Sequence, residues 1–387
     1  MRAIALILGL SLFSGGALAA DFPEPLPIEP TDNVATLPAS YPDSWIYAMD
    51  GNFYSVLDGK VLILDLAATS HEFKGYIGAG QFGSFLAAST RPELYVAETY
   101  YSRRVSGERT DAIVIYDKQS LKKKAEIILP GGKRGQSVTQ KHSFQFLDNE
   151  RLALIFNFTP AASVTVVDLV ERKILNEIPI PGCSLIYPTG KLGFSTLCGN
   201  GTMAAFTLGA NGKVTGEQRT KKFNDIDNNP LFMKTTKVGN TTYFVTFLGT
   251  VQPMDMTGTW PKVGKTWSLV SEEEKAAGWR PGGWHILSSD AQGRLYFLMQ
   301  EKSYPGSHKD GGGEVWVFDA KSKKRVARHV LKTHAISIEV TRGAAPYLAA
   351  VNANMEIDVY DAVSGQHLRT IGGNPAQTIF VMQASGG

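Results

Sequence analysis

The 387-residue sequence has only two cysteines, no block of five or six like charges and no apolar run long enough to span a membrane. Two cysteines cannot make a disulfide-dense scaffold, so the fold must rest on its own apolar core. Charge of one sign is scarce as well: 39 Lys+Arg stand against 36 Asp+Glu, a formal net charge of +3. The densest basic stretches, Lys122-Lys123-Lys124 and Lys321 to Arg325, have the length of solvated turns, which argues against a nucleic-acid groove. Charged residues make up 19% and hydrophobic residues 43%, a balance that excludes a disordered chain.

Catalytic signatures are equally sparse. No H-E-x-x-H, Walker loop or G-x-S-x-G occurs. The histidines at 71, 142, 285, 308, 329, 334 and 367 are scattered without metal-ligand spacing, and His308, in a polar loop, reads as structural. Gly78-Ala-Gly80-Gln-Phe-Gly83 fits G-x-G-x-x-G, but turn and strand residues follow it, not the helix a dinucleotide site requires.

What is present begins with Met1-Arg2, an apolar run from Ala3 to Phe13 and Ala17-Leu18-Ala19-Ala20. A basic end, a short apolar segment and an A-x-A exit are the parts of a secretory signal peptide, with cleavage expected after Ala19 or Ala20. Residues 21–44, with five prolines between 21 and 40, read as an extended arm. Export permits a disulfide. Cys183 and Cys198 are fifteen apart, each at the edge of a strand-like run, so adjacent antiparallel strands would bring them face to face. Neither C-x-x-C spacing nor nearby His ligands favours a catalytic or metal-binding pair, and a structural disulfide is expected.

From Trp45 onward short alternating apolar runs are broken by Gly, Asn, Asp and Pro, the pattern of strands and turns. The one helical segment is Ser271 to Ala277, with Ser271 and Glu274 as a capping box and Gly278 as its stop. Within the strands, an apolar run ending in Asp recurs at Val61–Asp65, Ile113–Asp117, Val164–Asp168, Val251–Asp255, Val315–Asp319 and Ile357–Asp361. A degenerate copy, Met203–Thr207, makes seven copies, spaced by 39 to 64 residues. Such a period signals β-propeller blades, and the expectation is an all-β, seven-bladed β-propeller over 45–387. The terminal Asp can accept hydrogen bonds from the next turn's amides and needs no catalytic role. Thr378–Met382 is expected to pair with the first blade and close the ring.

Two segments carry a more specific likeness. Glu98 to Asp111 runs into Ala112-Ile-Val-Ile-Tyr-Asp117, and Gly278-Trp-Arg-Pro-Gly-Gly-Trp284 is followed by Gly293 to Met299, His308-Lys309 and Glu314 to Asp319. With Pro160 to Asp168, the Cys183/Cys198 pair and Trp267-Ser-Leu before the Glu-rich helix, they resemble the heavy subunit of the quinoprotein amine dehydrogenases. The methylamine branch is favoured over the aromatic amine branch by the Gly278–Trp284 run, Arg109-Thr-Asp111 and Asp361-Ala-Val-Ser-Gly365.

The resemblance implies a periplasmic α2β2 assembly with a small disulfide-rich light subunit. That subunit would hold the tryptophan tryptophylquinone and the catalytic base, oxidising primary amines to aldehyde and ammonia. Electrons would pass to a blue copper protein such as amicyanin or azurin. This chain would then contain no catalytic residue, no cofactor and no metal. By the same resemblance Phe53 reaches the light subunit's active-site channel as an apolar wall that limits amine size. The alternative is a core or interface aromatic with no selectivity role. Arg103, Arg109 and Asp111 read as an ion-paired turn stabilising a blade. Two other functional readings are a periplasmic propeller acting only as a binding scaffold, and a propeller enzyme carrying its own metal or quinone.

Overall fold

Apolar runs such as Val61–Leu64, Ile113–Ile115 and Val315–Phe318 become strands whose residues are buried on both faces. A computed structural model describes residues 35–53, 58–80, 82–137, 139–373 and 376–386. The expected signal peptide and residues 21–34 of the expected arm lie outside the described residues. The strands pair antiparallel in successive meanders. Val61 and Ile63 share one apolar cluster with Leu94 and Val96 of the next sheet. Leu62 and Leu64 point the other way, into a cluster with Ala349 and Val359. Each such strand is therefore sandwiched between neighbouring sheets, which is why it is apolar throughout and not alternating. Full burial of each Leu, Ile or Val contributes about 1.5–3 kcal/mol.

The ring closes as expected. Ile379–Ala384 pairs with Trp45–Asp50, and that sheet continues through Gly59–Asp65 and Phe73–Gly80. The first and last strands of the described chain thus share one sheet, which removes two free edges.

The expectation of seven separate blades is not met. Five sheets are separate blades, four of four strands and one of five, and the sixth sheet is a continuous one of eight strands. Its continuity comes from the 16-residue strand Arg325–Val340. One end of that strand pairs with Gly312–Asp319, through Phe318↔Arg325 to Glu314↔Val330. The other end pairs with Tyr347–Asn352, from Ala335↔Asn352 to Val340↔Leu348. No Gly, Pro, Asn or Asp interrupts Arg325 to Val340, so nothing in this stretch turns the backbone between the two pairings. The repeat counts Asp-terminated strands, and two of them, ending at Asp319 and Asp361, belong to this one sheet.

The turn chemistry is as the repeat implies. Asp65, Asp117, Asp168, Asp255, Asp319 and Asp361 each accept a turn amide at 2.7 to 3.0 Å. The amides of Ser120 and Ser364 hold the Asp117 and Asp361 carboxyls below their ordinary range. The helix forms at Glu272–Ala276 with both bonds of the capping box, and Gly278 leaves it at φ +81°. Cys183 and Cys198 are register partners on adjacent strands and are joined by a disulfide. The G-x-G-x-x-G run joins two strands, Phe73–Gly80 and Ser84–Ala87, and is not a nucleotide loop.

Candidate functional site

In an antiparallel meander the lead-in to the first strand and the connection between second and third strands open at the same end. That end of the ring collects Phe53, Phe82, Trp284 and Phe380 into a chain of aromatic contacts. Phe53 lies 5.5 Å from Phe82 and 5.0 Å from Phe380 between ring centroids, and Phe380 lies 6.1 Å from Trp284. The first two contacts are edge-on, the arrangement aromatic quadrupoles favour. Phe53 remains 38% exposed, so it caps the cluster without being sealed inside it.

The Phe53 loop is held by a carboxylate that sequence reasoning missed. Asp50 Oδ1 accepts the amides of Asn52 and Thr378 at 2.8 Å each, and Oδ2 accepts the amide of Gln377 at 2.9 Å. The Phe53 amide donates to Thr378 Oγ1 at 3.0 Å. The ring closure and the position of Phe53 therefore share one clamp. An Asp just past an apolar strand reads as a turn residue, and only the far end of the chain gives it this second role.

Phe82 is fixed from the next blade. Arg134, fully buried, donates to the Phe82 carbonyl at 2.8 Å and to Thr99 Oγ1 at 2.8 and 3.1 Å. Thr99 Oγ1 donates to Asp111 at 2.5 Å, and Asp111 takes two bonds from Arg109 at 2.9 and 3.0 Å. The expected ion-paired turn is thus present for Arg109 and Asp111, but Arg134 completes it. Arg103 sits exposed near the hairpin tip, with no ion pair among the described residues. Burial lowers the Arg134 guanidinium to about 10, against the pull of the Asp111 charge.

The Gly278–Trp284 run supplies the opposite wall. Gly283 adopts φ +131°, and a Cβ there would meet the Ile336 carbonyl at 2.6 Å, so only glycine allows this approach. Its amide donates to the His308 carbonyl at 2.9 Å, and Trp284 Nε1 donates to the Thr139 carbonyl at 3.0 Å. The Lys234 ammonium lies 4.2 Å from the Trp284 ring centroid and donates to Gln140 at 2.5 Å. His308 stacks on Phe247 at 4.3 Å, a packing role in agreement with its structural reading.

A half-open cavity of about 540 Å3 is bordered by Lys141, His142, Tyr187, Lys237, Glu339 and Arg342. Lys141 pairs with Glu339 at 2.6 Å, and Arg342 donates to Ser289 at 3.1 Å. Burial pushes His142 down to about 3, leaving it neutral. Among the described residues no group of three or more His, Cys, Asp and Glu could hold a metal ion. No helix among them is long and apolar enough to cross a membrane.

The aromatic end also exposes Tyr100, Phe158, Met233 and Tyr304. They come from the hairpin Glu93–Asp117, two second-to-third connections and one lead-in, so they face the same side as Phe53. Tyr100, Phe158 and Tyr304 are aromatic and Met233 is apolar, so this end presents several exposed apolar side chains. What the arrangement offers chemically is an apolar rim on a rigid frame.

The chain matches the family of methylamine dehydrogenase heavy chains over residues 44–382. It is 30% identical over 387 aligned residues to the methylamine dehydrogenase heavy chain of Methylophilus methylotrophus, spanning 96% of this chain and 93% of that one. The heavy chain of Methylobacillus flagellatus is 27% identical, with 90% and 89% covered, and that of Paracoccus versutus is 27% identical, with 88% and 79% covered. Among solved structures, a Pseudomonas aeruginosa periplasmic gluconolactonase superposes with a TM-score of 0.58 at 14% identity, covering 88% of this chain and 99% of that one. A dihydro-heme d1 dehydrogenase gives 0.55 at 14% identity, covering 90% and 76%. These two likenesses concern the fold alone.

Proposed function

The chain belongs to the methylamine dehydrogenase heavy chain family, and from that premise we propose that it is the larger subunit of a periplasmic amine dehydrogenase. In this reading a small light subunit docks on the aromatic end of the ring and carries the tryptophan tryptophylquinone. The complex oxidises primary amines to aldehyde and ammonia, and a blue copper protein such as amicyanin or azurin takes the electrons. The quinone supplies the electron sink for the amine. The heavy chain supplies a rigid wall, and Phe53 borders the path by which the amine enters. An α2β2 assembly and export through the N-terminal signal peptide belong to the same reading.

The observation that carries it is the cluster of Phe53, Phe82, Phe380 and Trp284 at one end of the ring, with further apolar side chains exposed beside it. A wall of this kind acts by excluding water and bulk, and differences of one or two carbons are worth about 1–3 kcal/mol against it. The test is purification from native cells. A co-purifying small Cys-rich chain with visible quinone absorbance supports the assignment, and a colourless monomer overturns it. Amine oxidation by the isolated chain would point instead to an enzyme carrying its own cofactor.

A further inference from the structure

Buried lysines ordinarily face a carboxylate, and Lys234 does not. It is 7% exposed, and its ammonium has the Gln140 side-chain oxygen and the Trp284 ring as its contacts. No ion pair engages it among the described residues, and burial alone pushes it down to about 7. The titratable groups around it offer no anion. His142 and His285 lie beneath it, both held neutral by burial. His308 and Lys309 share its groove, and Glu339 of the adjoining cavity is taken by Lys141.

Lys234 borders a groove of about 190 Å3, walled by Phe232, Met233, Phe247, Trp284 and His308. Phe247 and His308 also border a second groove of about 460 Å3, which runs past Pro230, Pro281 and Tyr304. Apart from Gln140, His308 and its two lysines the first groove is apolar, and it contains no carboxylate. It adjoins the Phe53 cluster through Trp284 and Phe380.

We propose that this groove receives a carboxylate-bearing segment of the partner subunit, an Asp or Glu side chain on Lys234 with apolar neighbours against Trp284 and Phe247. The inference rests on the two-subunit reading above. Charge complementarity selects this occupant. A neutral apolar segment would bury the ammonium further with no anionic partner, and a basic one would add a like charge beside Lys234 and Lys309. A carboxylate restores the missing partner, and the apolar walls exclude the water that would weaken the pair.

The test uses the full chain and two probes, 3-phenylpropionate and its uncharged amide, followed by intrinsic tryptophan fluorescence and calorimetry. The acid is expected to bind roughly tenfold more tightly than the amide at pH 7, as one charge-assisted hydrogen bond allows. Lys234→Met, an apolar replacement of similar length, is expected to abolish that preference. It is also expected to weaken assembly with the light subunit roughly tenfold and to remove the proton uptake that accompanies assembly at pH 8. Equal binding of acid and amide, or no binding of either, overturns the carboxylate site even if the subunits assemble. An acid preference that depends on Lys234, with assembly unaffected by Lys234→Met, overturns the partner's part in it. If no small subunit assembles with the wild-type chain, the two-subunit reading fails and takes the partner assignment with it, while the probes still decide the carboxylate site.

Discussion

Asp50 and Thr378 are 328 residues apart in the chain, and the Thr378 amide donates to Asp50 Oδ1 at 2.8 Å. This bond ties the loop after the first strand to the lead-in of the last. The same carboxylate accepts the Asn52 and Gln377 amides, so three backbone donors depend on one buried side chain. Asp50→Ala is expected to lower the unfolding free energy by about 3 kcal/mol, since buried amides left without an acceptor cost about 1–3 kcal/mol each. Asp50→Asn keeps one acceptor oxygen and is expected to cost about half as much. Guanidinium denaturation measures both, and an unchanged midpoint in Asp50→Ala would contradict the clamp.

Phe53 stands on that clamp, and its ring is in contact with Phe82 and Phe380. In the proposed two-subunit enzyme, Phe53→Ala is expected to raise the kcat/KM of a bulky primary amine relative to methylamine by roughly tenfold, the scale of a removed apolar wall. Steady-state kinetics with methylamine and 2-phenylethylamine would show it. An unchanged ratio sinks the selectivity role and leaves Phe53 as an interface aromatic.

The Cys183–Cys198 bridge closes a loop with a sequence separation of 15. Replacing both cysteines by serine is expected to cost about 3 kcal/mol in the chain-entropy account. Urea melts of the wild type with and without reductant, beside the double variant, would measure it. If reduction leaves the midpoint where it was, register alone holds these strands together.

Glu98 is buried beneath the Phe82 lead-in, where a Cβ on Gly80 would meet its Oε2 at 2.6 Å, and its Oε1 has no hydrogen-bond partner. Burial pushes its carboxyl up to about 7, against the Tyr100 hydroxyl and the Arg134 charge. The folded state therefore keeps a proton that the unfolded chain releases near 4.5. Glu98 contributes stability in full below that pH, and the contribution is lost as pH rises through 7. The slope attributable to this group is about 1.4 kcal/mol per pH unit inside the window. Glu98→Gln cannot ionise, so urea melts at pH 5, 6 and 7 should show the wild type losing stability relative to the variant. A difference that stays flat means Glu98 ionises as in water.

The scarcity of cysteine meant a fold resting on its own apolar core, and the features set by short-range chemistry were legible from the residues. Asp at the end of each apolar strand predicted the turn bonds, Ser271 and Glu274 predicted the capping box, and two cysteines on adjacent runs predicted their own pairing. Each of these depends on neighbours within a turn or a hairpin, where spacing decides geometry.

Tertiary structure decided the rest. The repeat counted seven strands, six of them ending in Asp, but Arg325–Val340 runs unbroken between the last two, so the ring has five separate blades and one eight-stranded sheet. The site depends on Asp50 with Thr378, Arg134 with Phe82, and Lys234 with Trp284, pairs far apart in the chain. No local period encodes such meetings. They follow from strand twist and ring closure, which bring distant lead-ins to one end of the fold.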